Sequence, residues 1–340
     1  MSSLHELRPP SPQDFPATGS AAAKLAFLLR YAVLAPSNHN TQPWLFHLAG
    51  DTVELYADRT RHLRVVDPED RQLLISCGCA LHHLRVAARR FGCLGTVDLF
   101  PDASDEDLLA RVTLGDQGGQ DADAALLFDA IPRRQTNRQP FDETPVSEEL
   151  LAALRTGSAR SGAHFRVVEG SEAREAAGQL VGVADRQQWA SKRFRLELAA
   201  WMHPGRTANG DGIPGYAQGM NDMLSVAGPL VIRTFDMGEG QAAKDRDIAV
   251  YSPVLALFWT DRDGPRDWLA AGEALSFVLL RARASGVWAS FLNQPIEIPE
   301  LRAHMRETFA LPGWPQLMIR MGHASDVRPT PRRAVEEVLI

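Results

Sequence analysis

Residues 78–92 read GCALHHLRVAARRFG and residues 272–286 read GEALSFVLLRARASG. Aligned without a gap, they share Gly78/Gly272, Ala80/Ala274, Leu81/Leu275, Ala88/Ala282, Arg89/Arg283 and Gly92/Gly286. Each reads as an apolar helix closing on a glycine suited to the left-handed cap. The agreement continues downstream. CLGTVDLF (93–100) and VWASF (287–291) are strand-like, and LLARVTLG (108–115) parallels PQLMIRMG (315–322). Two core helices can share Ala and Leu by composition alone. Glycines at both ends and the same downstream order point instead to an internal duplication.

Working outward, helices are expected at 21–34, 69–91, 147–156, 171–183, 187–202, 265–285 and 298–309, and further strands at 44–49, 53–57, 164–168, 229–235 and 252–259. Strands and helices do not alternate regularly, so the fold class is α+β rather than a doubly wound sheet. The polar stretch DQGGQDAD (116–123) divides the chain. Residues 1–20 are read as a proline-rich flexible tail, 21–120 as a first half and 121–340 as a second.

The 340 residues are 45% apolar, enough for a sizeable core, and carry a net charge of −6. That sign argues against a nucleic-acid partner. The longest uncharged apolar run, VYSPVLALFWT (250–260), is about half of the roughly 20 residues a membrane span needs. No secretory leader is read at the start, so a cytoplasmic location is expected. Cys77, Cys79 and Cys93 read as small core residues.

Two stretches carry polar chemistry. In APSNHNTQPW (35–44), Pro36 stops the preceding helix, and Ser37, Asn38, Asn40 and Gln42 follow with groups that donate and accept. They suit the edge of a flat heteroaromatic ligand, or they serve the backbone of their own loop. In IPRRQTNRQPF (131–141), Arg133, Arg134 and Arg138 surround Thr136, a natural receptor for a phosphate monoester or a solvated basic loop. Arg332 and Arg333 near the C-terminus could close on the same anion or pair with Glu336 and Glu337.

These residues resemble the nitroreductase family. APSNHNTQPWLF is similar to its flavin-contacting loop, IPRRQTNRQPFDETPVSEELLAAL to its phosphate segment, and ASGVWASF and TPRRAVEEVL to its late glycine turn and basic C-terminal piece. Ordinary members assemble the site across a homodimer. Here one half has the loop and the other the arginine triad, which resembles the Acg-like branch, a duplicated fold acting as a dimer within one chain. The resemblance implies a nitroreductase-like fold of antiparallel-rich sheets around a pseudo-twofold interface, and a monomer. It implies one bound FMN, with NADH or NADPH as reductant and a small-molecule electron acceptor such as a nitroaromatic or quinone, turned over in two-electron ping-pong fashion by the flavin N5 without a catalytic side chain. It puts Pro36, Ser37, Asn38, Asn40 and Gln42 along the ring and ribityl chain. Arg133, Arg134, Thr136, Arg138 and Arg333 fall near the phosphate, and Gly286, Trp288, Ala289 and Ser290 beside the ring. Trp288 reads equally as a core residue.

Residues 193–224 lie outside the match and carry Trp201, Met202, Tyr216 and Met220. They read as a lid over the flavin or as a surface helical hairpin; a shut lid would imply flavin storage with little turnover. GDGIPG (210–215) fits G-x-G-x-x-G only literally, since no strand precedes it. The histidines lack metal spacing, so no metal is expected.

Overall fold

The computed structural model describes residues 10–115, 122–204, 210–219 and 222–340. The first half runs α1 (Ala21–Ala32), β1 (Trp44–Ala49), β2 (Thr52–Ala57), α2 (Arg71–Arg90), β3 (Leu94–Leu99) and β4 (Leu108–Leu114). The second begins with α3 (Ala122–Ala130), α4 (Glu148–Arg160) and β5 (His164–Val167). Four helices follow, α5 (Ser171–Ala190), α6 (Lys192–Ala200), α7 (Asp222–Thr234) and α8 (Gly238–Tyr251), with the two-residue strands β6 (Met202–His203) and β7 (Ile213–Pro214) between α6 and α7. The chain closes with β8 (Val254–Thr260), α9 (Pro265–Ala284), β9 (Trp288–Phe291), α10 (Pro299–Thr308) and β10 (Trp314–Gly322).

The two four-stranded sheets have one topology. Their orders are β1-β2-β4-β3 and β5-β8-β10-β9, so in each the first strand pairs with the second, the second with the fourth and the fourth with the third. Every neighbouring pair is antiparallel. The halves differ between their first two strands. In one, a tight turn at Gly50 (φ 66°) joins β1 to β2; in the other, α5 to α8 are inserted between β5 and β8.

The helices α2 and α9 hold the halves together. Seventeen residues of α2 are buried, among them the polar Arg71, Gln72, Ser76, His82 and His83, so the helix is enclosed on nearly every face. A Cβ on Gly78 would lie 2.2 Å from the Leu269 carbonyl oxygen, and a Cβ on Gly272 would lie 2.1 Å from that of Ile75. The aligned glycines therefore meet each other, each pressed on the residue three before its counterpart. One turn further on, the aligned pair His82 and Ser276 hydrogen-bonds at 2.8 Å. Gly92 (φ 66°) and Gly286 (φ 79°) end the two helices in the left-handed conformation that the sequence pattern requires. The C-terminus also crosses between halves: Phe46 N–H donates to Val338 O at 2.7 Å, laying residues 338–340 along the free edge of β1.

The structure corrects several expectations. Residues 229–235 form no strand; 229–234 lie in α7, which contains Pro229, and Phe235 follows it. The helix expected at 187–202 is broken at Ser191, whose extended backbone (ψ 115°) and side-chain acceptance from Phe194 N–H make it the cap of α6. Helices α3 and α8 escaped the pattern reading. In α8 the buried positions are Gly238, Ala242, Asp245 and Ala249, small or polar side chains that leave no apolar signature. The end of the tail is packed: Phe15 stacks on Phe91 at 4.1 Å and Tyr31 OH donates to Pro10 O at 2.6 Å. Of the boundary expected at 116–123, residues 116–121 lie outside the described residues and 122–123 open α3. No helix among the described residues is long and apolar enough to cross a membrane.

Gly272→Ala should lower stability by about 1–3 kcal/mol, because the added methyl meets backbone that cannot yield. Gly240→Ala, on exposed α8 with nothing within 4 Å, should leave stability equal or raise it by up to about 1 kcal/mol. Urea unfolding of both variants measures the difference.

Candidate functional site

Pro36 ends the α1 segment, and the loop beyond it is strained. His39 (φ 47°), Asn40 (φ 55°) and Gln42 (φ 50°) all sit in the left-handed region without being glycine, at a cost of order 1 kcal/mol each. Tertiary hydrogen bonds hold them there. Gln42, fully buried, donates to Gly210 O at 2.7 Å and accepts from Arg333 N–H at 2.9 Å. Asn40 donates to Gly212 O and Pro331 O and accepts from Arg332 at 3.1 Å. Ser37 Oγ accepts from Gln42 N–H at 2.9 Å, and Asn38 donates to Gln72 at 2.8 Å. Asn40 and Gln42 thus clamp the 210–212 and 331–333 segments to the loop.

Pro36, Ser37, Asn38 and His39 line a cavity of about 720 Å³ where the halves meet. That volume suits a cofactor-sized ligand. Its other walls come from Gln72, Ser76 and Cys79 of α2, from Thr136 and Arg138, from the 290–294 segment and from Arg320 on β10. Leu198, Met202, Ile213 and residues 216–219 cover it. The cover is fastened by an Arg61–Asp211 ion pair and by Tyr216 OH donating to Pro329 O at 2.7 Å. Of the aligned helix positions, Cys79 faces this cavity whereas its counterpart Glu273 is paired with Arg85.

Of the basic residues singled out from sequence, Arg138 lines the cavity and donates to Ala217 O at 3.4 Å. Arg133 is exposed and donates to Asp129 O. Arg134 is buried beside the cavity wall and donates to Leu34 O at 3.2 Å, as Arg332 does at 3.5 Å. Among the described residues neither has a carboxylate within ion-pair distance. Burial lowers Arg134 to about 10; burial and then Arg134 itself lower Arg332 to about 9. Arg333 is committed elsewhere, to Gln42 O and Glu337 O with Asp58 at 3.9 Å.

The other sequence-derived residues divide as well. Ser290 and Thr136 line the cavity; Gly286, Trp288 and Ala289 do not. Trp288 is a core residue, its Nε1–H donating to Ala324 O at 2.9 Å and its ring covered by Arg283 at 3.9 Å. Ala289 O accepts from Asn137 N–H, which aligns the 136–138 segment with β9. Trp201 packs against Arg61 rather than lining the cavity, and Met220 lies outside the described residues.

Among the described residues, four buried side-chain atoms of the cavity wall have no partner: His39 Nδ1, Asp185 Oδ2, Gln294 Oε1 and Arg320 Nη1. Buried polar groups are ordinarily satisfied, so such a group around one cavity makes it the candidate site. Burial, then Arg138, lowers His39 to about 4, leaving a neutral ring; burial, then Asp245, raises Asp185 to about 8. None of these four was read from sequence. Arg320 had a legible signal, a charge inside the apolar strand PQLMIRMG. Asp185 had none, since it lies beyond the expected end of its helix.

Replacing Gln42 by Leu should cost about 1–3 kcal/mol for the buried Gly210 O and Arg333 N–H left unpaired. Denaturant unfolding reads that loss, and faster proteolytic cleavage within residues 210–219 shows that the cover is released.

No family model matches the chain. Two relatives from Mycobacterium tuberculosis strain H37Rv share the name "Putative NAD(P)H nitroreductase". Rv3131 is 34% identical over 318 residues, 92% of this chain and 90% of its own length; acg is 28% identical over 317 residues, 91% and 93%. Among solved structures, the FMN-dependent nitroreductase NfnB from Mycobacterium smegmatis overlaps loosely, with a TM-score of 0.39 and 17% identity across 63% of this chain and 96% of that one. With 34% identity maintained across nine-tenths of both sequences, the chain belongs to the nitroreductase family.

Proposed function

We propose that this protein is an FMN-dependent NAD(P)H oxidoreductase that reduces small electrophiles such as nitroaromatics or quinones. The observation that carries the reading is the buried pair Arg134 and Arg332, two cations with no carboxylate in ion-pair distance among the described residues, both donating to Leu34 O two residues before the cavity wall, while Arg332 also donates to Asn40, Thr330 and Pro331. Cations buried in this way call for an anion to offset their desolvation. A phosphate monoester accepts charge-assisted hydrogen bonds from both guanidinium groups.

In this reading Arg134 and Arg332 hold the phosphate, with Arg138 and Thr136 toward the ribityl chain. Ser37, Asn38 and Ser290 face the ring. Bound there, FMN would take hydride from a nicotinamide and pass it to the acceptor. Arg320 and Arg138 supply positive charge to the cavity, and hydrogen bonds with Gln42 N–H and Gln72 hold Ser37 and Asn38 at its wall. The family names of the M. tuberculosis relatives agree with this reading. Because the two sheets already pack through α2 and α9, the chain is proposed to work as a monomer in the cytoplasm.

The cover formed by Met202, Ile213 and Tyr216 favours a second reading, a flavin store that admits little nicotinamide. Stopped-flow mixing separates the two. Bleaching within seconds by NADH or NADPH and reoxidation by a quinone mark the enzyme; bleaching by dithionite but not by millimolar nicotinamide marks the store.

Purified protein should contain about one FMN per chain, measured by extraction and chromatography. Arg134→Ala should weaken FMN binding by about 1.5–3 kcal/mol while changing riboflavin binding much less. Equal losses for both ligands would show that Arg134 supports the fold and meets no phosphate.

A further inference from the structure

The inserted helices α5 and α8 bring an acid into the cavity that the flavin reading leaves unused. Asp185, 2% exposed, lines the cavity. Its Oδ1 accepts from Gln294 Nε2 at 3.3 Å, and its Oδ2 has no partner among the described residues. The same Gln294 Nε2 donates to Asp245 Oδ2 at 2.9 Å, tying two carboxyl groups through one amide. Asp245 also accepts from Gln241 at 2.8 Å.

The charges facing Asp185 come from each neighbouring element. Asp245 of α8 and Glu297 after β9 oppose its ionisation, and Arg186 on α5 favours it. Lys244 and Arg320 act on Asp245 rather than on Asp185. No cation is within ion-pair distance of Asp185 among the described residues. With Oδ1 already accepting, the proton of the neutral acid belongs on Oδ2, the oxygen of this side chain that no described residue pairs.

We propose that Asp185 Oδ2 is the cavity's contact for an oxygen of the electron acceptor, donating to it a hydrogen bond and then the proton it needs on reduction. This rests on the oxidoreductase reading and names its substrate class: acceptors carrying a carbonyl or nitro oxygen. For a quinone the balance is simple. Hydride, which flavin bound in the cavity would supply, carries two electrons and one proton to the acceptor. The second proton leaves Asp185 as its O–H bond breaks and the acceptor's new O–H bond forms, giving the hydroquinone; solvent then reprotonates the carboxylate. The general acid is present below about pH 8 and is lost as pH rises through that value.

The test uses the full-length protein as purified and duroquinone as the probe. Infrared difference spectra of wild type minus Asp185→Asn, in the oxidised state without nicotinamide, should show a protonated-carboxyl stretch. It should disappear as pH rises through about 8 and move to lower frequency when duroquinone is added. Asp185→Asn keeps a donor and should bind duroquinone within about threefold of wild type, whereas Asp185→Leu should bind roughly tenfold more weakly. With NADPH, Asp185→Asn should keep its flavin and its rate of flavin bleaching but reoxidise with duroquinone roughly 100-fold more slowly.

A carboxyl ionised at neutral pH, a stretch that duroquinone does not move, or wild-type reoxidation in Asp185→Asn overturns the proposal. In that last case a flavin that still turns over leaves the oxidoreductase reading standing. A protein without flavin would end that reading, while the infrared and binding measurements still decide whether Asp185 meets the quinone.

Discussion

The contact between Gly78 and Gly272 governs the arrangement of everything else. Two helix backbones approach so closely there that no side chain fits on either, which fixes the crossing of α2 and α9 and therefore the placement of one sheet against the other. The cavity lies against that crossing. Its walls are drawn from Ser76 and Cys79 on one helix, Leu275 on the other, and loops that each half contributes alone. A small rotation at the glycine pair would move Ser37 and Arg138, which approach from opposite halves, relative to each other.

The second constraint is electrostatic. Arg134, Arg138, Arg320 and Arg332 are drawn into or beside the cavity, while Asp185 and Asp245 face it from the inserted helices. These groups do not form tight ion pairs with one another. Their spare donors and acceptors make the site costly when empty and selective when filled. The strained turn at His39, Asn40 and Gln42 belongs to the same economy of structure: hydrogen bonds from residues 210–212 and 331–333 hold a conformation that the loop alone would leave.

The insertion between β5 and β8 is where the halves part company, and it makes the site one-sided. In the first half a tight turn stands at that position, so nothing equivalent to α5 to α8 covers the other side of the crossing. There Glu273, the counterpart of Cys79, is paired with Arg85, and the Phe277 ring fills the space above Gly157. The same topology thus yields an open volume in one place and packed side chains in its counterpart.

What the sequence determined by itself was whatever depends on local pattern: the twin helices with their glycine ends, the strands that follow them, the helix stop at Pro36 and the polar loop beyond it. Periodicity and turn chemistry write those features into neighbouring residues. The α8 helix was not legible because its buried face is built from Gly, Ala and Asp, and 229–235 reads as a strand because its apolar run carries no length or cap signal. Only the tertiary structure decided which polar residues face the cavity. Gln42 and Arg333 became fasteners, Trp288 a core residue, and Arg332, His39, Asp185 and Arg320 the groups beside or within the cavity. Those roles depend on which partner a side chain meets far along the chain, from Trp288 with Ala324 to Gln42 with Arg333, and not on the residues' own neighbourhood.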